Sequence, residues 1–164
     1  MNVAVGFDLR PKDAGLNRFR ERRISMAARR KIYVTEPDLR RLCRVVATEI
    51  DLNVGPQRHL TELITELERA EIVPSDEVPD DVVTMNSTIV LRDVATGEEE
   101  TYTLVYPRHA DIAQHRLSVL APAGTSILGY HVGDVVHWSG PNGRRRLRIE
   151  EVVFQPERVG AFHL

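Results

Sequence analysis

A single cysteine, Cys43, in 164 residues excludes any disulfide within the chain. The six histidines (His59, His109, His115, His131, His137 and His163) show neither His-x-x-x-His nor His-Glu-x-x-His spacing. With no second cysteine to join them, no metal site is expected, and no cofactor. There is no Gly-rich phosphate loop, which argues against a kinase. There is no Gly-x-Ser-x-Gly elbow either, which argues against a serine hydrolase. No apolar run approaches the roughly 20 residues of a membrane span. The N-terminus also lacks the apolar stretch of a secretory signal, so a cytoplasmic protein with no membrane partner is expected. Aromatic residues are few (four Phe, four Tyr and one Trp), which leaves aliphatic side chains to fill the core. These absences point to a binding protein and not to an enzyme.

The net charge of −2 conceals an asymmetry. Residues 1–30 carry eight basic and three acidic side chains, a net +5, and the remaining residues carry fourteen and twenty-one, a net −7. A basic tail on an acidic body is an arrangement for interaction. The tail shows no sustained periodicity and is expected to be disordered. Two other readings stay open: weak nucleic-acid contact through its arginines, and translation beginning at Met26, which would leave residues 1–25 outside the native protein.

From residue 31 the pattern changes. Lys31 to Val34 reads as extended chain. Thr35 suits an N-cap, Asp38 could complete a capping box, and Pro37 fits a first turn. Leu39, Leu42, Cys43, Val46 and Ile50 then follow an amphipathic helical stripe, which places Cys43 in the core. Glu49 to Gly55 breaks the pattern and reads as a loop. Leu60, Leu63, Ile64 and Leu67 form a second stripe, ending near Ile72. Two helices of about 14 residues, each about 20 Å long, make a short antiparallel hairpin over 31–73. Residues 74–81, acidic and proline-containing, read as a linker.

Over 82–164 the period becomes that of strands. Ile89 and Leu91 lead through a turn at Ala95-Thr96-Gly97-Glu98 into Tyr102, Leu104 and Tyr106, a β-hairpin. Residues 117–138 read as strand, short helix over Ala123 to Leu128 with Pro122 at its start and Gly129 as its stop, turn at Gly133-Asp134, and strand. Asn142-Gly143 marks a further hairpin turn. In the last strand Leu147 and Ile149 give way to Val152 and Phe154, a change of phase that predicts a β-bulge at Glu150-Glu151. The fold class is α+β: a short helical hairpin followed by an antiparallel sheet of about five strands carrying one short helix.

Several of these motifs resemble a known family. Ser118-Val119-x-x-Pro122-x-Gly124-x-x-Ile127-Leu128-Gly129-x-x-Val132-Gly133-Asp134-x-Val136 resembles the C-terminal signature of the bacterial Gre transcript-cleavage factors. Asp81 to Ser87, Thr103 to Pro107 and Val136-His137-Trp138 resemble the Rnk branch of that family, and the likeness runs from about Ile32 to Leu164. It implies an FKBP-like sheet domain, a monomer, and RNA polymerase as partner. In Gre factors an Asp/Asn-Ser-Pro segment grips the rim of the polymerase secondary channel. Leu120, Ala121 and Pro122 match it here, with the proline kept and the polar pair replaced by apolar residues. Gre factors also carry acidic residues at the tip of a long hairpin, which hold a second Mg²⁺ in the polymerase; Glu49 and Asp51 match that location. Here the helices are several turns shorter and the tip motif is absent. Arg144, Arg145, Arg146 and Arg148 form a basic run that could touch polymerase or nucleic acid.

The expected function is therefore a non-enzymatic regulator that docks at the channel rim and competes with Gre-type factors. The alternatives are a cleavage factor using Glu49 and Asp51, a DNA-binding protein acting through the tail, and, on fold alone, a prolyl isomerase.

Overall fold

A computed structural model describes residues 32–52, 57–140 and 143–162, with side chains left out at 57–59 and 139–140. The tail at 1–30 and the turn residues Pro141 and Asn142 lie outside the described residues. Strand β1 (Tyr33–Thr35) runs into helix α1 (Glu36–Asp51); helix α2 (Gln57–Glu68) returns and ends at strand β2 (Glu71–Val73). Thr35 caps α1 as its residue type suggests: it is extended, and its hydroxyl accepts the Asp38 N–H at 3.2 Å. The helices have 16 and 12 residues, so they rise about 24 and 18 Å.

Sequence expectations fail at several points in this hairpin. The face of α1 that packs inward is Asp38, Leu42 and Val46, flanked by Leu39 and Val45. Cys43 is exposed, and Ile50 is 48% exposed. The buried stripe is thus turned toward Asp38, a polar residue that apolar periodicity counts on the wrong side. The second helix stops at Glu68, short of Ile72, which lies in β2 opposite Val34. The parallel pairing of β1 with β2 ties the two ends of the hairpin together at its base.

The main sheet has the order β5-β4-β3-β7-β6. Strands β3 (Thr88–Asp93) and β4 (Glu99–Val105) are antiparallel. Their turn is held by the Asp93 carboxylate, which accepts the Ala95 and Thr96 N–H groups at 2.7 and 3.3 Å. Strand β5 (Arg116–Ser118) lies parallel to β4, so the sheet is mixed and not wholly antiparallel. Helix α3 (Pro122–Ile127) and strands β6 (Val135–Gly140) and β7 (Gly143–Phe154) complete it. Gly143, expected in the turn, instead begins β7 and pairs with Gly140. The bulge in β7 is where the phase change puts it. Leu91 pairs with Ile149 and Val90 with Glu151, which leaves Glu150 as the extra residue, and a second shift follows between Ile89 and Thr88.

Hairpin and sheet share one core. Ile32, Val34, Leu42, Val46 and Leu63 cluster with Met85, Ile89, Leu104, Ile127 and Ile149. Gly129 is where the two meet. Its φ is +76°, and an added Cβ would lie 2.6 Å from the Ile32 Cβ and 2.7 Å from the Tyr33 carbonyl oxygen. Its own carbonyl accepts the Tyr33 N–H at 3.2 Å, and its N–H donates to Val83 at 2.8 Å. Only glycine fits both the conformation and the space. Among the described residues no helix is long and apolar enough to cross a membrane.

Candidate functional site

The segment between β5 and α3 is built from local hydrogen bonds. The Ser118 hydroxyl accepts the Leu120 N–H at 3.2 Å, and the Ser118 carbonyl accepts the Ala121 N–H at 3.0 Å. Thr125, buried in α3, donates its hydroxyl to the Val119 carbonyl at 2.7 Å. The helix lies so close to this loop that a Cβ on Gly124 would fall 2.0 Å from the Ser118 carbonyl oxygen. Pro122 occupies the first turn, where its missing N–H costs nothing. Leu120, Ala121 and Pro122 are all half-buried, with Leu120 and Ala121 packed against the core. The result is a rigid apolar knuckle on the surface.

Glu49 and Asp51 are not in a loop: both lie in the last turn of α1, which continues to Asp51. The loop expectation failed because α1 continues to Asp51, past its last buried residue, Val46. Two residues apart on a helix, they diverge by about 200° around its axis and do not share a face. Glu49 is half-buried and Asp51 exposed. Among the described residues no three His, Cys, Asp or Glu side chains come together as a metal would require.

The arginine run divides between the two faces of β7. Arg144, Arg146 and Arg148 are exposed on one side, and Arg148 is paired with Glu150 at 2.7 Å. Arg145 turns to the other side, where it donates to Asp93 at 2.6 Å and lies 5.6 Å from the centre of the Trp138 ring. That bond, with the N–H groups of Ala95 and Thr96, holds the Asp93 carboxyl below its ordinary value.

A second polar centre, which sequence reasoning missed, lies in the seam between α1 and the sheet. Asp38 is 4% exposed. It accepts the Tyr106 hydroxyl at 2.9 Å and the Met85 N–H at 3.3 Å, with the Arg41 guanidinium 3.8 Å away. Burial pushes its carboxyl up, against the pull of these donors. Close by, Glu157 accepts the Thr84 hydroxyl at 2.6 Å and is likewise pushed up, chiefly by burial. Tyr106 is also raised, by burial first and then by Asp38. The available signal was spacing: Asp38 precedes Leu42 by four residues and Val46 by eight, on one helical stripe. In front of this seam, α1 and the turn at 107–109 border a cleft of ≈ 450 Å³, with Arg41, Arg44 and Glu49 on one wall and Tyr106, Pro107 and Arg108 on the other.

Residues 78–154 match the profile of the transcription elongation factor GreA/GreB C-terminal domain, and residues 30–73 match that of the Rnk N-terminus. The chain is 43% identical over 103 residues to the regulator of nucleoside diphosphate kinase of Escherichia coli strain K12, covering 62% of this chain and 76% of that protein. It is 34% identical over 103 residues to the transcription elongation factor GreA of Mesorhizobium japonicum, covering 63% of this chain and 64% of the relative. Among solved structures, the prokaryotic transcription elongation factor GreA/GreB from Nitrosomonas europaea is 40% identical. It superposes with a TM-score of 0.65, covering 76% of this chain and all of that one.

Proposed function

Because the chain belongs to the Rnk branch of the GreA/GreB family, we propose that it docks on RNA polymerase at the rim of the secondary channel. The docking surface is the knuckle at 120–122. From there the protein competes with Gre-type factors and leaves transcript cleavage unstimulated. An elongation-factor-like role in transcription follows from the family; docking and competition are the step beyond it.

The observation that carries this reading is length. Helices of 16 and 12 residues rise about 24 and 18 Å, which is several turns less than a Gre-type finger. A sheet module seated at the rim then holds the end of the hairpin short of the catalytic metal. The divergence of Glu49 and Asp51 within α1 supports the same conclusion, since side chains on different faces of a helix do not chelate one ion together. At the knuckle, a small apolar surface on a rigid backbone suits contact with a helical partner.

A competition experiment on stalled elongation complexes tests it. The protein should slow Gre-stimulated RNA shortening in a dose-dependent way and produce none alone. Ala121→Lys should weaken retention by core polymerase about tenfold while the protein stays folded at the assay temperature, as thermal denaturation of the variant checks. Failure of core polymerase to retain the protein at low salt, or RNA shortening that disappears when Glu49 and Asp51 are both changed to Ala, would overturn it.

A further inference from the structure

We propose that the cleft between α1 and the turn at 107–109 binds a nucleoside di- or triphosphate, its phosphates on the arginines and its ring on the apolar floor. The inference concerns the isolated protein and does not rest on polymerase docking. Its volume, ≈ 450 Å³, lies within the range of small-molecule sites. Guanidinium groups reach it from both walls, Arg41 and Arg44 one turn apart on α1 and Arg108 across from them. Arg41 stands against the buried Asp38 carboxylate, which fixes its position. Arg44 and Arg108 have no carboxylate within ion-pair distance among the described residues, although the body of the chain is acidic. On the sheet Arg92, Arg145 and Arg148 each meet one and the exposed Arg116, Arg144 and Arg146 meet none among the described residues, so what sets Arg44 and Arg108 apart is the concave space they share. Two unpaired guanidiniums facing one concave space are suited to a phosphate, which they bind through paired N–H donors.

The floor narrows the class of ligand. Tyr106 commits its hydroxyl to Asp38 and is 7% exposed, so it adds only a little ring carbon to the apolar surface that Val45 and Pro107 give the cleft. A bare inorganic anion would leave that apolar surface wet, whereas a nucleoside covers it. Glu49, further along α1 than Arg44, repels phosphate and accepts hydrogen bonds. It therefore sets the direction of the ligand, with hydroxyl or amino donors of the sugar or base at its end and phosphates at the arginine end.

Isothermal titration of the full chain with ADP, adenosine, inorganic pyrophosphate and a 5′-phosphorylated RNA trinucleotide tests this. ADP should bind saturably at one site, and more tightly than adenosine or pyrophosphate. Arg44→Gln and Arg108→Gln should each weaken ADP about tenfold, while Arg92→Gln, on the sheet, should leave it unchanged. ADP binding more tightly than the trinucleotide supports a free-nucleotide site. Four results would overturn the proposal: no saturable ADP binding, pyrophosphate binding as tightly as ADP, a trinucleotide that binds more tightly than ADP and loses affinity in the same two variants, which would assign the site to the phosphorylated end of an RNA, or equal weakening by Arg92→Gln, which would mark diffuse charge attraction. All four are read without polymerase, so they are separable from failure of the docking function.

Discussion

The two ends of the helical hairpin are built on opposite terms. At its base, β1 and β2 pair, Ile32 and Val34 enter the common core, and Asp38 is sealed against Tyr106 and Met85. At its far end Ile50 is 48% exposed and Leu52 64% exposed, and Asp51 faces solvent. The sheet module supports the base directly, because the side chains of the base enter that module's core while the far end stays in solvent. The difference teaches that this hairpin is anchored at its base and needs little from its own tip.

The most damaging way to break the comparison is Gly129→Ala. A methyl group there meets Ile32 and Tyr33 at under 3 Å and must also adopt a φ of +76°. Left-handed strain and overpacking together should cost about 3 kcal/mol, or roughly 10 °C in melting temperature. Thermal or urea denaturation checks it. Next comes Asp38→Ala, which leaves the Tyr106 hydroxyl and the Met85 N–H buried without a partner. Its expected cost is about 2 kcal/mol, with Asp38→Asn nearer 1 because an amide keeps one acceptor. If Asp38→Ala were neutral, the seam would not hold the base.

How far these features were legible in the sequence follows from the range over which each is determined. The cap at Thr35, the short helix after Pro122 and the bulge at Glu150 depend on a few neighbouring residues, and each could be read from them. The partner of Asp38 lies 68 residues away in Tyr106. No local pattern states that pairing, and apolar periodicity discounts a carboxylate that in fact shares the buried stripe. Strand β2 has three residues, too few for a period to show. The parallel register of β5 on β4 is likewise set by what packs above it and not by its own three residues. At the proposed docking surface the Gre-like motif pointed to Leu120, Ala121 and Pro122, while the close approach of Gly124 to Ser118 beside them needed coordinates. The cleft between Arg44 and Arg108 joins segments far apart in the chain and was invisible to spacing.

A smaller effect sharpens the comparison through pH. Asp38 and Glu157 are both raised in the folded protein from ordinary values of 3.8 and 4.5. The native state therefore holds protons that the unfolded chain has released, and stability falls as pH rises upward from those values. Asp93 and Glu150 are lowered, so their contribution is lost only as pH falls below the ordinary range. As pH rises from about 4.5 the two buried acids of the seam both lower stability. Stability measured by denaturant at successive pH values should decline for the native chain and decline less for Asp38→Asn, leaving the Glu157 part. An identical slope in the variant would remove Asp38 as its source.

The smallest effect belongs to the outer face of α1. A helix whose core stripe ran through Cys43 and Ile50 would lose about 2 kcal/mol or more on truncation of Ile50. The observed face, turned to Asp38, Leu42 and Val46, leaves both residues in water. Ile50→Ser and Cys43→Ser should therefore change stability by no more than about 0.5 kcal/mol each. Cys43 should also react with a thiol reagent in the native protein about as fast as in the urea-unfolded chain, because no opening of the fold is needed to reach it. Protection of that thiol, or a multi-kcal loss at Ile50, would mean that this side of α1 is covered in solution, and the contrast between a sealed base and an open end would then fail.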